Sequence, residues 1–310
     1  MKEKIYDDAE IGEIHFVKSA RSRRISIRVH PVRGVTVTVP WAMRYDDGMK
    51  FFLRKRDWVL STVRRQGERL RQAEKDGMAV SSIHDGTVVR TLLSEIVFVR
   101  DVPAAGHPSG IPGAFGVLSD SSSPLRISVR SSLVEDVKLT GRLYLSLDRP
   151  ISRKEVHYPC APDGPALSAA LMKALVKILR DEARSLLPVK LRFFAERYGF
   201  CYNGVTIKHN SSNWGSCSTL GNINLNLNLV RLPEPVCDYV LLHELAHLRH
   251  HDHGPEFHDL LERLCSDNLT RLSSLGDPYV TTLFSSARRS RASRPFSRIL
   301  SLETKKYRLL

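Results

Sequence analysis

Six histidines fall within sixteen positions of this chain, in "HELAHLRHHDHGPEFH" from His243 to His258. The first two, His243 and His247, are four residues apart and Glu244 follows the first of them. On a helix that spacing sets the two imidazoles about 40° apart around the axis and ~6 Å apart along it, so both can reach one metal ion. Zinc takes imidazole nitrogen at ~2.0–2.1 Å. Glu244 projects about 100° round from His243, beside an open coordination position and outside the ligand set. A carboxylate there can take a proton from zinc-bound water. The chemistry implied is metal-assisted hydrolysis with a glutamate general base.

A catalytic zinc needs a third protein ligand and an open fourth position. His253 is the preferred candidate, six residues beyond His247, where Asp252 and Gly254 let the chain leave the helix and turn back. Glu256 or Glu262 from a following helix, and His250 or His251, are alternatives. His251 continues the i, i+4 series but lies a further ~6 Å down the axis. One zinc per chain is expected, with the remaining histidines tuning the site or facing solvent.

Such a site must be held by a buried helix. "LPEPVCDYVLLHELAHLRHH" is apolar almost all round, through Val236, Val240, Leu241, Leu242, Leu245, Ala246 and Leu248, as a helix in the middle of a domain should be. Pro235 suits its first position and Asp238 its first turn. After Gly254, Pro255 opens another helix with Phe257, Leu260, Leu261 and Leu264 on one face. Upstream, "PALSAALMKALVKILRDEARSLL" predicts a long helix from Pro165 that Pro188 should break, with a second running to Tyr198 and Gly199 as its C-terminal cap. "GVTIKH" is a short strand. "NINLNLNLV" alternates asparagines with Ile223, Leu225, Leu227 and Leu229, which predicts one half-buried strand with a polar face. That face could receive an extended peptide by strand addition; an ordinary sheet strand with solvated asparagines is the alternative.

Towards the N-terminus, "RRISIRVHPVRGVTVTVP" predicts a β-hairpin with Ile25, Ile27, Val29, Val35, Val37 and Val39 facing inward. A basic helix should run from Tyr45 to about Gln72. Residues 76–164 read as irregular and β-rich: "TVVRTLLSEIVFVRDV", "RISVRSS" and "RLYLSL" as strands, and "PAAGHPSGIPGAFGVLSDSSSP" as a loop. The expected organisation is 1–75 hairpin plus basic helix, 76–164 middle region, 165–285 catalytic domain and 286–310 a basic, disordered tail.

The run from Asn213 to His258 closely resembles the YgjP-like metallopeptidases, relatives of the SprT-like proteins and other zincins. The resemblance is carried by Trp214-Gly215-Ser216-Cys217-Ser218, by Gly221 to Leu225, by Asp238-Tyr239-Val240 before the His-Glu-x-x-His helix, and by His253 followed four residues later by Phe257. Residues 14–72 also look like the family's start. The resemblance implies an α+β fold: a zincin-like catalytic domain, its active-site helix packed on a small mixed sheet, preceded by a β-rich region with one basic helix. It implies His243, His247 and His253 as zinc ligands and Glu244 as catalytic base. Trp214, Gly215 and Ser216, with Asn224 and Asn226, are the residues expected to meet a peptide or protein substrate. The chain departs from the family's pattern at Asn213, where Arg is usual, and at His258, where Trp is usual. Its middle region is also longer. Cys217 is expected to be a buried structural thiol.

Bulk composition bounds the remaining possibilities. The net charge of +14 favours polyanion contact, through the basic helix and through a tail in which Ser285 to Leu310 carry eight Lys and Arg against one acidic residue. Two further readings follow: a zinc-dependent nucleotide phosphoanhydride hydrolase, and a nucleic-acid-associated SprT-like protease. The five scattered cysteines form no CxxC pair, which argues against a disulfide framework and fits a reducing compartment. The first residues lack the apolar core of a signal peptide and no run approaches a membrane span, so a cytoplasmic protein is expected.

Overall fold

The computed structural model describes residues 3–30, 34–75, 78–80, 82–101, 115–117, 127–133, 152–160, 162–277, 279–283 and 295–310. The chain divides into two compact units, Met1–Ser81 and Ser82–Leu310. It is an α+β protein, β-rich at the N-terminal end and helical towards the C-terminal end.

The first unit is a four-stranded sheet with two helices. Strands β1 (Glu3–Asp8), β2 (Gly12–Ser19), β3 (Ser26–His30) and β4 (Gly34–Pro40) lie in the order β1-β2-β4-β3, with β2 and β4 parallel. The β3–β4 pairing sets Ile27 against Val37 and Val29 against Val35, the register that the alternation predicts. The turn at 31–33 lies outside the described residues. Ile14, Phe16, Val35, Val37, Val39, Phe52 and Val59 form the core. The expected single basic helix is two: α1 (Tyr45–Arg54) and α2 (Arg56–Lys75). At the break Arg56 turns to Asp8, 2.7 Å away, and its guanidinium holds that carboxyl down at about 2. Gly48 lets α1 approach the sheet closely, since a Cβ there would lie 2.6 Å from Val39.

The second unit begins with a five-stranded sheet: β5 (Val88–Arg90), β6 (Glu95–Arg100), β7 (Phe115–Val117), β8 (Ser128–Leu133) and β9 (Ser152–Tyr158), ordered β5-β6-β9-β8-β7. Strand β7 falls in the stretch expected to be loop, and β9 was not anticipated by any alternation. "RLYLSL" lies outside the described residues.

Helix α3 runs unbroken from Pro165 to Tyr198, so the expected break at Pro188 is corrected. A helix-interior proline costs about 3 kcal/mol. Burial of Leu186, Leu187, Leu191 and Phe194 on either side outweighs that, at about 1.5–3 kcal/mol for each large apolar side chain. Gly199 then caps the helix in the left-handed conformation at φ 66°. A three-stranded sheet follows: β10 (Gly204–Lys208), β11 (Gly215–Cys217) and β12 (Asn222–Asn226), in the order β10-β12-β11. The strand expected over "NINLNLNLV" therefore stops at Asn226, and Leu227–Arg231 form a 3-10 turn.

Helices α4 (Glu234–Ala246) and α5 (Pro255–Ser274) pack on each other, and α4 packs on β11. The last surprise is α6 (Phe296–Thr304), docked on both α4 and α5. The expectation of a disordered tail over 286–310 is corrected for its described part. Leu300 is buried, and Glu262 on α5 accepts hydrogen bonds from the amides of Phe296 and Ser297 at 2.8 Å each. Averaged composition hid this short amphipathic helix behind arginine and serine. Among the described residues, no helix is long and apolar enough to cross a membrane.

Candidate metal centre

Helix α4 is buried along its length, and His243 and Glu244 lie in its last turn with His247 as the residue that ends it. The chain then turns through Leu248–Gly254 and re-enters as α5, and this return brings His253 back over α4. The Nε2 atoms of His247 and His253 lie 3.2 Å and 3.3 Å from Nε2 of His243. All three ligating nitrogens are within 4.8 Å of one another. A tetrahedral zinc with nitrogens at ~2.0–2.1 Å has ligand–ligand edges of about 3.3–3.4 Å, which the two separations from His243 match.

Proton bookkeeping points the same way. Nδ1 of His247 lies 3.1 Å from the carbonyl of His250, which can only accept, so His247 carries its proton on Nδ1 and leaves Nε2 a bare lone pair. One proton on His243 could satisfy only one of its two neighbouring rings. A cation satisfies all three. Burial, with the nearby imidazoles of His247, His253 and His258, pushes His243 down to about 3, so its ring is neutral and ligand-ready at neutral pH. Burial likewise lowers His247. Phe257 on α5 stacks on His247 with ring centroids 4.6 Å apart, and closes one side of the cluster.

Glu244 is 5% exposed and its Oε2 has no hydrogen-bond partner. Burial pushes its carboxyl up to about 8. It faces Gly215: a Cβ at that position would lie 2.6 Å from Oε1 of Glu244. The carboxylate thus occupies the space that any side chain at 215 would fill. Cys217 also feels it, its thiol raised first by burial and then by the Glu244 charge. Cys217 is half-buried rather than fully buried.

The expected substrate residues divide. Gly215 meets the centre. Since its Cβ direction points to Glu244, the pleat sends Trp214, Ser216, Asn224 and Asn226 to the opposite face. Ser216 and Asn224 bond each other there at 3.2 Å. Asn226 does not offer itself to a substrate: it is 1% exposed, its amide donates to the carbonyls of Asn210 and Asn213, and its carbonyl caps the following turn at Asn228. Strand β12 is the centre of its sheet, so among the described residues the strand with a free edge beside Glu244 is β11. The register hydrogen-bonds Trp214, Ser216 and Ser218 to β12, which turns the backbone groups of Gly215 and Cys217 outward. Asn213 occupies the Gly215 carbonyl at 3.1 Å. No local pattern in "NWGSC" could have revealed which residues face the helix; that depends on β11 pairing with β12.

A buried helix that presents two imidazoles, a returning third and a carboxylate with an unpartnered oxygen has the donor set of a hydrolytic metal centre. Residues 150–276 match the model of one family, "YgjP-like, metallopeptidase domain", and this part of the chain is such a domain. The match ends before α6 and begins after β8. Searches of curated proteins and of solved structures gave no match.

Proposed function

We propose that the chain is a zinc-dependent peptidase in which His243, His247 and His253 hold the ion and Glu244 is the general base. The observation that carries this reading is the set of Nε2 separations, 3.2 Å and 3.3 Å, beside a buried carboxylate with an unpartnered oxygen. Zinc, when bound, supplies a Lewis acid that polarises a carbonyl and acidifies an attacking water. Glu244 takes the proton of that water and delivers it to the leaving amine nitrogen. A nearby cation favours its ionised form, opposing the burial that otherwise holds the proton on. The outward amide of Gly215 and the amide and carbonyl of Cys217 align an extended peptide along β11 by strand addition. The His247–His250 bond keeps one ligand ring fixed during these steps.

The test is metal analysis together with peptide-library cleavage, on the wild type and on Glu244→Gln. Both proteins should hold about one zinc per chain, and only the wild type should cleave. A reconstituted chain without zinc, or undiminished cleavage by Glu244→Gln, would overturn the reading.

A further inference from the structure

Beside His243 lies a cavity of about 560 Å³ that the family-matched segment does not close by itself. Tyr239, His243 and Phe257 line it from α4 and α5, and its other wall is α6. That wall is fixed in place. Glu262 holds the first amides of α6, and Arg231 donates to the carbonyl of Arg308 beyond the helix at 3.0 Å. The cavity adjoins the candidate metal centre at His243, which lines the one and belongs to the other.

Its chemistry is mixed. Phe257, Leu261 and Leu302 supply apolar surface, while Arg298 and Lys305 project from exposed positions on α6. Among the described residues neither cation has a carboxylate partner. Asp259 and Glu262 match the two cations in number, but Glu262 is turned to the amides of α6 and neither acid is paired with Arg298 or Lys305 among the described residues. We propose that this cavity is a substrate pocket, built by α6, that takes an apolar residue or side-chain stem ending in a carboxylate next to the scissile bond. Arg298 and Lys305 are the residues that set this preference. The carboxylate comes either from an acidic side chain within a peptide or from a free C-terminal end; both present the same group to the same cations. The proposal rests on the peptidase reading for its placement next to the bond cleaved.

The experiment measures binding first and cleavage second. Zinc-loaded Glu244→Gln protein is titrated with acetylated pentapeptides in four forms: central Glu or central Gln with an amidated end, and central Leu with an amidated or a free carboxylate end. The carboxylate-bearing peptides should bind about fivefold more tightly than their neutral counterparts, the size of a well-placed but solvent-accessible ion pair. The Glu and free-end arms show which source of carboxylate is used. Arg298→Glu combined with Lys305→Glu should reverse the preference towards a central Lys peptide, with zinc content and melting temperature unchanged, since both side chains are exposed. Equal binding of charged and neutral peptides, no binding of any of them, or a preference untouched by the charge reversal would overturn the pocket. Wild-type protein is then given the tightest-binding peptide. Binding preference without cleavage would leave the pocket standing and sink the peptidase reading; cleavage without preference would do the opposite.

Discussion

Near the start of α4, Glu234 and Asp238 are buried against Lys190 of α3, while near its other end Glu244 is buried and His243 half-buried against nothing that completes them. The first cluster is a closed circuit. Lys190 Nζ bonds Glu234 and lies 2.9 Å from Asp238; Asn268 donates to Asp238 at 3.0 Å; Arg271 bonds Asn268 and sits over the Phe193 ring. Two carboxylates meet two cations. Burial alone would lower the lysine, but the charges of Asp238 and Glu234 outweigh it and hold its ammonium well above the usual range. The second cluster has three imidazoles turned on one another and a carboxylate oxygen with no donor. Unpartnered buried polar groups cost free energy. One helix therefore carries a cluster whose charges are matched within the chain, Asp238 Oδ1 by its ion pair with Lys190 and without a hydrogen bond, and a cluster whose Glu244 Oε2 has no partner among the described residues. The first is built to hold the fold, and the second is the one proposed to do chemistry.

The comparison breaks most visibly at the metal ligands. His253→Ala should lose zinc and with it all hydrolysis, since two histidines hold zinc poorly. Its metal-free stability should stay within about 0.5 kcal/mol of wild type, because His253 is exposed and is not part of the core. Metal content and urea unfolding of the metal-free proteins check this. A metal-free variant that unfolded much earlier would mean that the histidine cluster is structural after all.

Next in size is the base itself. Glu244→Gln should lower turnover by about 10²–10⁴ while keeping zinc. Excess zinc should restore part of the activity of His253→Ala and none of the activity of Glu244→Gln. The opposite pattern, metal lost from Glu244→Gln and kept by His253→Ala, would exchange the two roles.

The closed circuit predicts the reverse set of effects. Lys190→Met leaves two carboxylates buried without their main partner and should cost about 3–5 kcal/mol of stability. Neutralising the acids as well, with Glu234→Gln and Asp238→Asn in the same chain, should return most of that loss, because no buried charge is then left unpaired. Chemical denaturation of both variants measures the difference. Recovery in the triple variant is the decisive observation, since a lysine that mattered only for its volume would not be rescued by changing its partners.

Legibility in the sequence follows the same division. The His243–Glu244–His247 spacing is local, and helical geometry alone converts it into convergent side chains. The burial of α4 was legible for the same reason, from Val236 to Ala246. The return of His253 needed only a short turn at Asp252 and Gly254. What failed was tertiary. Pro188 reads as a break until the packing around it is known. The asparagine alternation continues through Asn228, but the strand ends at Asn226 because that side chain turns to cap the backbone. The apolar face of α6 is too short to stand out among arginines, and only its contacts with α4 and α5 give it a partner.

The smallest expected effect concerns Gly215, which the comparison makes a sharp probe. Gly215→Ala puts a methyl group 2.6 Å from Oε1 and 2.8 Å from Cδ of Glu244, closer than any real contact. Glycine is needed here for the close approach of strand and carboxylate. Nothing at the lysine end of α4 would be disturbed, so stability should change by less than the Lys190→Met variant. No atom of the three proposed zinc ligands is among the nearest contacts of a Cβ at 215, so zinc content should be unchanged. The carboxylate, however, must move by a fraction of an ångström to about 1 Å, and misplacement of that order lowers rates by about 10–100-fold. The expected signature is thus a fall in kcat at constant zinc occupancy and near-constant melting temperature. A drop in zinc binding would show that Glu244 and the ligand rings move together. Unchanged kcat would show that the carboxylate works from a position other than the one against β11.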